Sequence, residues 1–223
     1  MQIQHLHLFP QTIQIPPNES WILLDSENND IEQVIILSEG AELDFYSART
    51  SGKLRLRIIH QGADSISRIQ CGFHAQKNGK IEAIIKSSFE ANNATSEIHI
   101  LSLADSSGEV LLDSAIDIKE GTKQIIGRLK ERHIFLGEGG KIRGIPALIV
   151  HSDDIEASHA LAIDRISDEE LFYLRSRGFN RDEGTGLLLD GAVSEIFSEL
   201  ESLDERIYEE CKSKIMQIQG ITG

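Results

Sequence analysis

The sequence contains few aromatic residues, two cysteines and no long apolar run. Aromatic residues make up 5% of the 223 residues, so we expect a core built mainly from Ile, Leu, Val and Ala. Cys71 and Cys211 lie far apart and form no CxxC pair, which excludes a disulfide framework and favours a reducing compartment. No stretch reaches the roughly 20 apolar residues of a membrane helix. The N-terminal residues show no signal-peptide pattern, so we expect a cytoplasmic protein.

Clusters of basic residues are absent as well. The formal net charge is −14, from 36 acidic and 22 basic residues, and such a surface repels nucleic acids and anionic membranes. The sequence contains no GxxxxGK[ST], GxSxG or HExxH motif. Since no set of nucleophile, base and oxyanion donors can be assembled, we predict a protein that is not an enzyme and binds neither nucleic acid nor membrane.

The segment from Trp21 to Ala162 is predicted to be all β. Short apolar or alternating runs recur along it, and Gly-containing turn signals such as Asn78-Gly79 and Ser107-Gly108 separate them. This pattern indicates about ten or more strands. It fits an antiparallel sandwich or barrel as well as a β-helix whose strands stack coil upon coil, and the pattern alone leaves both open.

The pattern becomes helical after Ile166. Ser167 and Glu170 form a capping-box signature ahead of the run EELFYLRSR, which ends at Gly178. Asn180 begins a second helix whose first turns are weakened by glycines. An apolar face follows at helical spacing: Val193, Ile196, Leu200, Leu203, Ile207, Cys211 and Ile215. We expect it to pack on the β segment, with partner binding as the alternative, and residues 217–223 to form a frayed tail.

The densest polar cluster surrounds His151, Asp153 and His159. Imidazole and carboxylate groups are suitable iron, zinc or manganese ligands, and the three residues share one face if the strand stays regular. The alternative is an acidic turn with solvated histidines. The isolated histidines are expected to be hydrogen-bonded residues on strand faces: His60, His74, His99 and His133. Both cysteines are expected to be buried.

The run HSDDIEASHALAIDRISDEELFYLRSRGF, within Ile145–Gly178, resembles the pattern of the SufB/SufD family of iron–sulfur cluster assembly proteins. The match extends over about thirty residues and mixes buried, polar and capping positions. The resemblance implies a mainly β fold, a right-handed parallel β-helix core in residues 1–166. It also implies that a C-terminal helical subdomain in residues 167–223 docks an ATPase.

The resemblance also implies partners and a site. The partner would be a SufC-like ABC-type ATPase docked on helix residues Glu170, Leu171, Phe172, Tyr173, Arg175 and Arg177. Two SufB/SufD-type chains, identical or different, would pair through their last strands. The histidine implicated in cluster assembly falls on His159. A cluster would then lie at the subunit interface, with none expected in the isolated chain.

Three positions depart from the family pattern. Ala160 replaces the Gly after the histidine, GEGGKIRGIPALIV lacks the Cys of SufB-like members, and Ser158 and Ala160 stand where a Glu would flank the histidine. The chain is therefore SufD-like at this site, and it is shorter than many members. We predict a scaffold or accessory subunit of a SUF-type system. The alternatives are a His/Asp metal-binding protein and a structural paralogue with a vestigial site.

Overall fold

Two parallel sheets form most of the chain. The computed structural model describes residues 3–136 and 138–217, and fourteen strands lie in this part, together with a 3₁₀ helix at Leu6–Leu8. The strands are β1 (Ile3–His5), β2 (Thr12–Ile15), β3 (Ser20–Asp25), β4 (Ile31–Leu37), β5 (Glu42–Arg49), β6 (Gly52–His60), β7 (Ile66–Ala75), β8 (Lys80–Phe89), β9 (Thr95–Ala104), β10 (Glu109–Ile118), β11 (Ile125–Phe135), β12 (Lys141–Gly144), β13 (Ala147–Val150) and β14 (Ile155–Arg165).

The strands alternate between the two sheets, which makes the fold a parallel β-helix. The first sheet has the order β1-β3-β5-β7-β9-β11-β14, and the second has the order β12-β10-β8-β6-β4-β2 with β13 also on β10. Each coil therefore contributes one strand to each sheet. This topology confirms the β-helix and excludes the antiparallel sandwich. The right-handedness of the β-helix stays a prediction, supported by the rule that parallel crossover connections are right-handed.

The apolar core lies between the two sheets. Alternate residues of each strand point inward, so Leu56 of β6, Ile85 of β8 and Phe73 of β7 are fully buried. Full burial of such a side chain contributes about 1.5–3 kcal/mol. Turns at the predicted Gly-containing signals close the coils. Asn78 and Ser107 adopt positive φ angles of 59° and 67° at two of these turns.

Three helices follow the β-helix: α1 (Asp168–Ser176), α2 (Arg181–Leu203) and α3 (Glu205–Ile215). The predicted capping box is present at Ser167 with Glu170, and Asn180, the predicted start of the second helix, forms another with Glu183. The predicted apolar face is divided between two helices, because Asp204 ends α2 and caps α3.

Helices α2 and α3 pack on the outer face of the first sheet. Phe197, Leu200 and Cys211 are completely buried there against strand residues such as Tyr46 and Leu103. The prediction that the apolar face packs on the β segment is confirmed. Leu203 is the exception at 45% exposure. Residues 218–223 of the predicted tail lie outside the described residues.

No membrane-crossing helix is found within residues 3–136 and 138–217, since no helix there is both long and apolar enough.

Candidate functional site

Strand β14 is the terminal strand of the first sheet. It pairs with β11 over its whole length, from Ile155 opposite Ile125 to Arg165 opposite Phe135. Within the described chain, no strand pairs with its other edge. The backbone groups along that edge are therefore available to a further strand.

Ion pairs on the outer face hold β14 against the sheet. Arg128 of β11 lies 2.7 Å from Glu97 and 2.6 Å from Glu156, so it joins three adjacent strands. Arg132 contacts Asp164 at 2.8 Å. These groups are partly exposed, so each pair contributes modestly to stability, but together they fix the position of the edge.

His159 lies on the inward-facing row of β14. It is directly opposite Leu129, a member of the inner core, and it is exposed because no structure of the described chain covers this part of the strand. Its neighbours on the same face are Leu161 and Ile163, which are 40% and 64% exposed. The last coil thus presents an imidazole beside an uncovered apolar row.

The structure does not bring His151, Asp153 and His159 together as a metal site. β13 ends at Val150 in the second sheet, and β14 begins at Ile155 in the first sheet. The regular strand needed to place the three side chains on one face is interrupted by a bend. Over the described residues, no group of three or more His, Cys, Asp or Glu side chains could hold a metal ion.

Helix α1 exposes aromatic residues. Phe172 is 73% exposed and Tyr173 is 57% exposed, whereas Leu171 is only 3% exposed. Leu171 is turned toward α2, where the missing side chain of Gly184 lets the two helices approach: a Cβ at Gly184 would lie 3.3 Å from the Leu171 Cδ2 atom. Leu171 therefore positions α1, while the aromatic pair forms its outward surface.

The ends of α1 are firmly defined. At its start the Glu170 carboxylate accepts a hydrogen bond from the Ser167 main-chain N–H at 3.2 Å. At its end the main-chain N–H groups of Gly178 and Phe179 donate to the carbonyls of Arg175 and Leu174, as in a Schellman motif. The exposed Arg177 guanidinium lies 5.2 Å from the Tyr173 ring centre, so it adds a cation to the exposed aromatic surface.

The two cysteines are absent from this surface. Cys71 lies in the inner core and Cys211 lies on the buried face of α3, both fully buried. Burial raises the pKa of both thiols, that of Cys211 to about 12. Since iron–sulfur clusters bind thiolates, neither cysteine suits cluster ligation in this conformation.

The prediction that His133 is hydrogen-bonded is wrong. His60 and His74 each have partners at both ring nitrogens, but His133 has none and lies buried beside Glu131. The sequence did indicate that His133 points into the core beside Glu131, because both residues follow Leu129 at alternate positions and so share its inward face.

A protein-family model matches most of this chain. The family described as "SUF system FeS cluster assembly, SufBD core domain" matches residues 27–192. The chain belongs to the SufBD core family. The matched range includes the β-helix from its early coils onward, α1 and half of α2, so the SufBD core here contains both the β14 edge and the exposed face of α1.

Individual SufBD relatives match parts of this chain at 23–38% identity. "Iron-sulfur cluster assembly protein SufD" of Escherichia coli is 26% identical over 49% of this chain and 26% of the relative. An "Iron-sulfur cluster assembly SufBD family protein" of Archaeoglobus fulgidus is 38% identical over 38% of this chain. Another of Staphylococcus epidermidis is 23% identical over 77% of this chain and 38% of its own length. The chain thus spans less than two fifths of these relatives.

Proposed function

We propose that this chain is a scaffold or accessory subunit, not itself an enzyme, that assists iron–sulfur cluster assembly together with a SufC-like ABC-type ATPase. The single observation that supports the ATPase contact is the exposure of Phe172 and Tyr173 on a helix whose Leu171 is buried. Large aromatic side chains exposed side by side are typical of interfaces. The anchored helix ends and the buried Leu171 would present them in a fixed orientation.

The β14 edge supports pairing with a second chain. An uncovered edge strand bearing Leu161 and Ile163 exposes both backbone groups and apolar side chains to solvent, and such an edge is stabilised when another strand covers it. The partner would be an identical chain or a different SufB/SufD-type chain. Either arrangement brings His159 to the subunit interface.

The cluster would form at that interface. The ligand that this chain would contribute is His159, which is exposed on the β14 edge. Histidine is an occasional ligand of iron–sulfur clusters. Since both cysteines are buried, the thiolates would come from the partner chain. The isolated chain would then bind no cluster.

The ATPase contact is tested by co-expression and copurification. We expect the wild-type chain to copurify with a SufC-like ATPase and to change its turnover, and Phe172→Ala combined with Tyr173→Ala to abolish both effects. Leu8→Ala is the matched control, because Leu8 is 70% exposed but lies at the opposite end of the chain. Failure of the wild-type chain to bind any cognate ATPase would contradict the proposal.

The role of His159 is tested in cells. His159→Ala should reduce cluster assembly while copurification with the ATPase is retained, because His159 lies on β14 and is not one of the exposed residues of the α1 surface. Unchanged cluster assembly would instead indicate a structural paralogue with a vestigial site.

A further inference from the structure

A buried polar cluster lies inside the last complete coil of the β-helix. Glu131 and His133 of β11 are 1% and 2% exposed, and Ser102 and Ser114 are completely buried. His133 lies directly opposite Ser102 of β9, and the Ser114 hydroxyl of β10 contacts a carboxylate oxygen of Glu131. The cluster therefore includes residues from both sheets and lies between them.

This cluster is unusual because four of its hydrogen-bonding atoms lack partners. In the described residues, half of the buried side-chain atoms without a hydrogen bond belong to Ser102, Glu131 and His133. Leaving such a group unpaired costs about 1–3 kcal/mol. Other interior polar groups are paired, for example His60 with Ser65 and Ser67 and Asp25 with Arg49.

The geometry around the unpaired atoms suits a cation. The Glu131 Oε2 and His133 Nε2 atoms are 3.3 Å apart, yet they form no hydrogen bond. The usual Zn–N and Zn–O distance is about 2.1 Å. For a divalent ion at that distance from both atoms, the 3.3 Å separation gives an O–metal–N angle of about 104°. This angle lies between the tetrahedral and octahedral values. In the described residues, Glu131 forms no ion pair with a Lys or Arg side chain.

An interruption in the second sheet lies beside this region. β12 pairs with β10 up to Leu112, and β13 resumes the pairing only at Ala115. Asp113 and Ser114 therefore have no partner strand on that side. A hollow at the break is lined by residues that include Asp113 and Gly144, and a Cβ built on Gly144 would lie 3.6 Å from the Glu131 carboxylate. An ion bound at the unpaired atoms would enter through this break.

We propose that Glu131 and His133 bind a divalent transition-metal ion inside the β-helix, with the Ser102 and Ser114 hydroxyls and water completing its surroundings. Mixed imidazole and carboxylate ligands suit zinc, cobalt, manganese or ferrous iron. Two protein ligands would hold the ion exchangeably. The site uses neither His159 nor the residues of the α1 surface, so its test does not require ATPase binding or cluster assembly.

Metal titration of the purified, metal-depleted chain tests this site. Zn²⁺ is followed by calorimetry and Co²⁺ by its visible absorption, and the thermal midpoint is measured with and without metal. We expect one equivalent per chain, a higher midpoint with metal, and at least about tenfold weaker binding in Glu131→Gln and in His133→Gln. The combined variant His151→Ala with His159→Ala is the control, since it removes two exposed histidines near the last coil. It should retain the interior equivalent.

Three results would overturn the site. They are the absence of metal binding by the wild-type chain, loss of binding in the control variant, and full binding in Glu131→Gln. His133→Leu provides a second measurement, because it replaces the unpaired ring by an apolar group. If an ion binds, this variant should lose the metal-dependent rise of the thermal midpoint. If the polar groups are merely buried, neither the wild-type chain nor the variant should show such a rise.

Discussion

The His74 Nδ1 atom of β7 lies 2.7 Å from the main-chain carbonyl oxygen of Ile215, the last residue of α3. The other ring nitrogen of His74 lies 3.0 Å from the Asp105 carboxylate, which follows β9. One buried imidazole thereby links the end of the helical segment to the β-helix. A carbonyl at a helix C-terminus has no partner within the helix, so His74 satisfies a group that burial would otherwise leave unpaired.

Replacing His74 should loosen α3. His74→Leu leaves the Ile215 carbonyl and the Asp105 carboxylate without this partner, so we expect a loss of about 1–3 kcal/mol in the free energy of unfolding. Urea denaturation measures the loss, and amide hydrogen exchange should show faster exchange in α3 than in the inner strands. Unchanged exchange in α3 would contradict the linking role.

The buried ion pair of the early coils predicts a non-additive effect. Arg49 contacts both carboxylate oxygens of Asp25, and both side chains are almost inaccessible to solvent. Arg49→Met leaves Asp25 as an unpaired buried charge, and we expect a loss of about 3–5 kcal/mol. Adding Asp25→Leu should restore much of the stability, because the remaining charge is removed.

The matched measurement is a double-mutant cycle by chemical denaturation. If the double variant were as unstable as the sum of the two single variants, the pair would not be acting as a unit.

His60 predicts a specific dependence of stability on pH. The ring stacks on Phe89 with 4.5 Å between ring centres, and burial lowers its pKa to about 3. Because this value lies below that of the unfolded chain, the unfolded state binds the proton first. The contribution of neutral His60 to the free energy of unfolding is complete above about pH 6.5 and is lost as the pH falls toward about 3. Between pH 7 and pH 5 the loss is about 2 kcal/mol.

The test compares wild type with His60→Gln, which does not titrate. We expect the difference in unfolding free energy between the two proteins to change over that pH range. A difference that is constant with pH would show that His60 does not remain neutral in the folded chain.

Local sequence signals predicted the helical segment well, whereas long-range pairing was beyond them. The capping box at Ser167 and the helix start at Asn180 were predicted because every contact involved lies within four residues. Alternation along the strands could not distinguish a sandwich from a β-helix, because both place every second side chain inside. The stacking of coils was predicted only through the family resemblance.

The site predictions divide in the same way. The exposure of Phe172 and Tyr173 agrees with the surface role predicted for them, while Leu171 is buried because a contact with α2 decides its orientation. His151 was grouped with His159 on the assumption of one regular strand, but the chain changes sheets at Asp153 and Asp154. The partners that His133 lacks could be recognised only once all neighbouring strands were in place.

The uncovered row on β14 predicts pairing that charge should disrupt. Leu161 and Ile163 are partly exposed on the edge strand that also presents His159. If a second chain covers this row, burying each side chain more fully contributes up to about 1.5–3 kcal/mol. Leu161→Lys combined with Ile163→Lys should then shift the chain toward the monomer, because two buried lysines without partners are costly. Sedimentation equilibrium over a range of concentrations measures the shift.

The control for this prediction is Leu8→Lys, which places a lysine on an exposed leucine far from β14 and should leave the mass unchanged. The same measurements on a mixture with a SufB/SufD-type chain distinguish the two kinds of partner. A wild-type chain that dimerises alone indicates identical subunits, while one that associates only in the mixture indicates a heterodimer. Association that is equally strong in the double-lysine variant would place the interface away from β14, and His159 would then lie outside it.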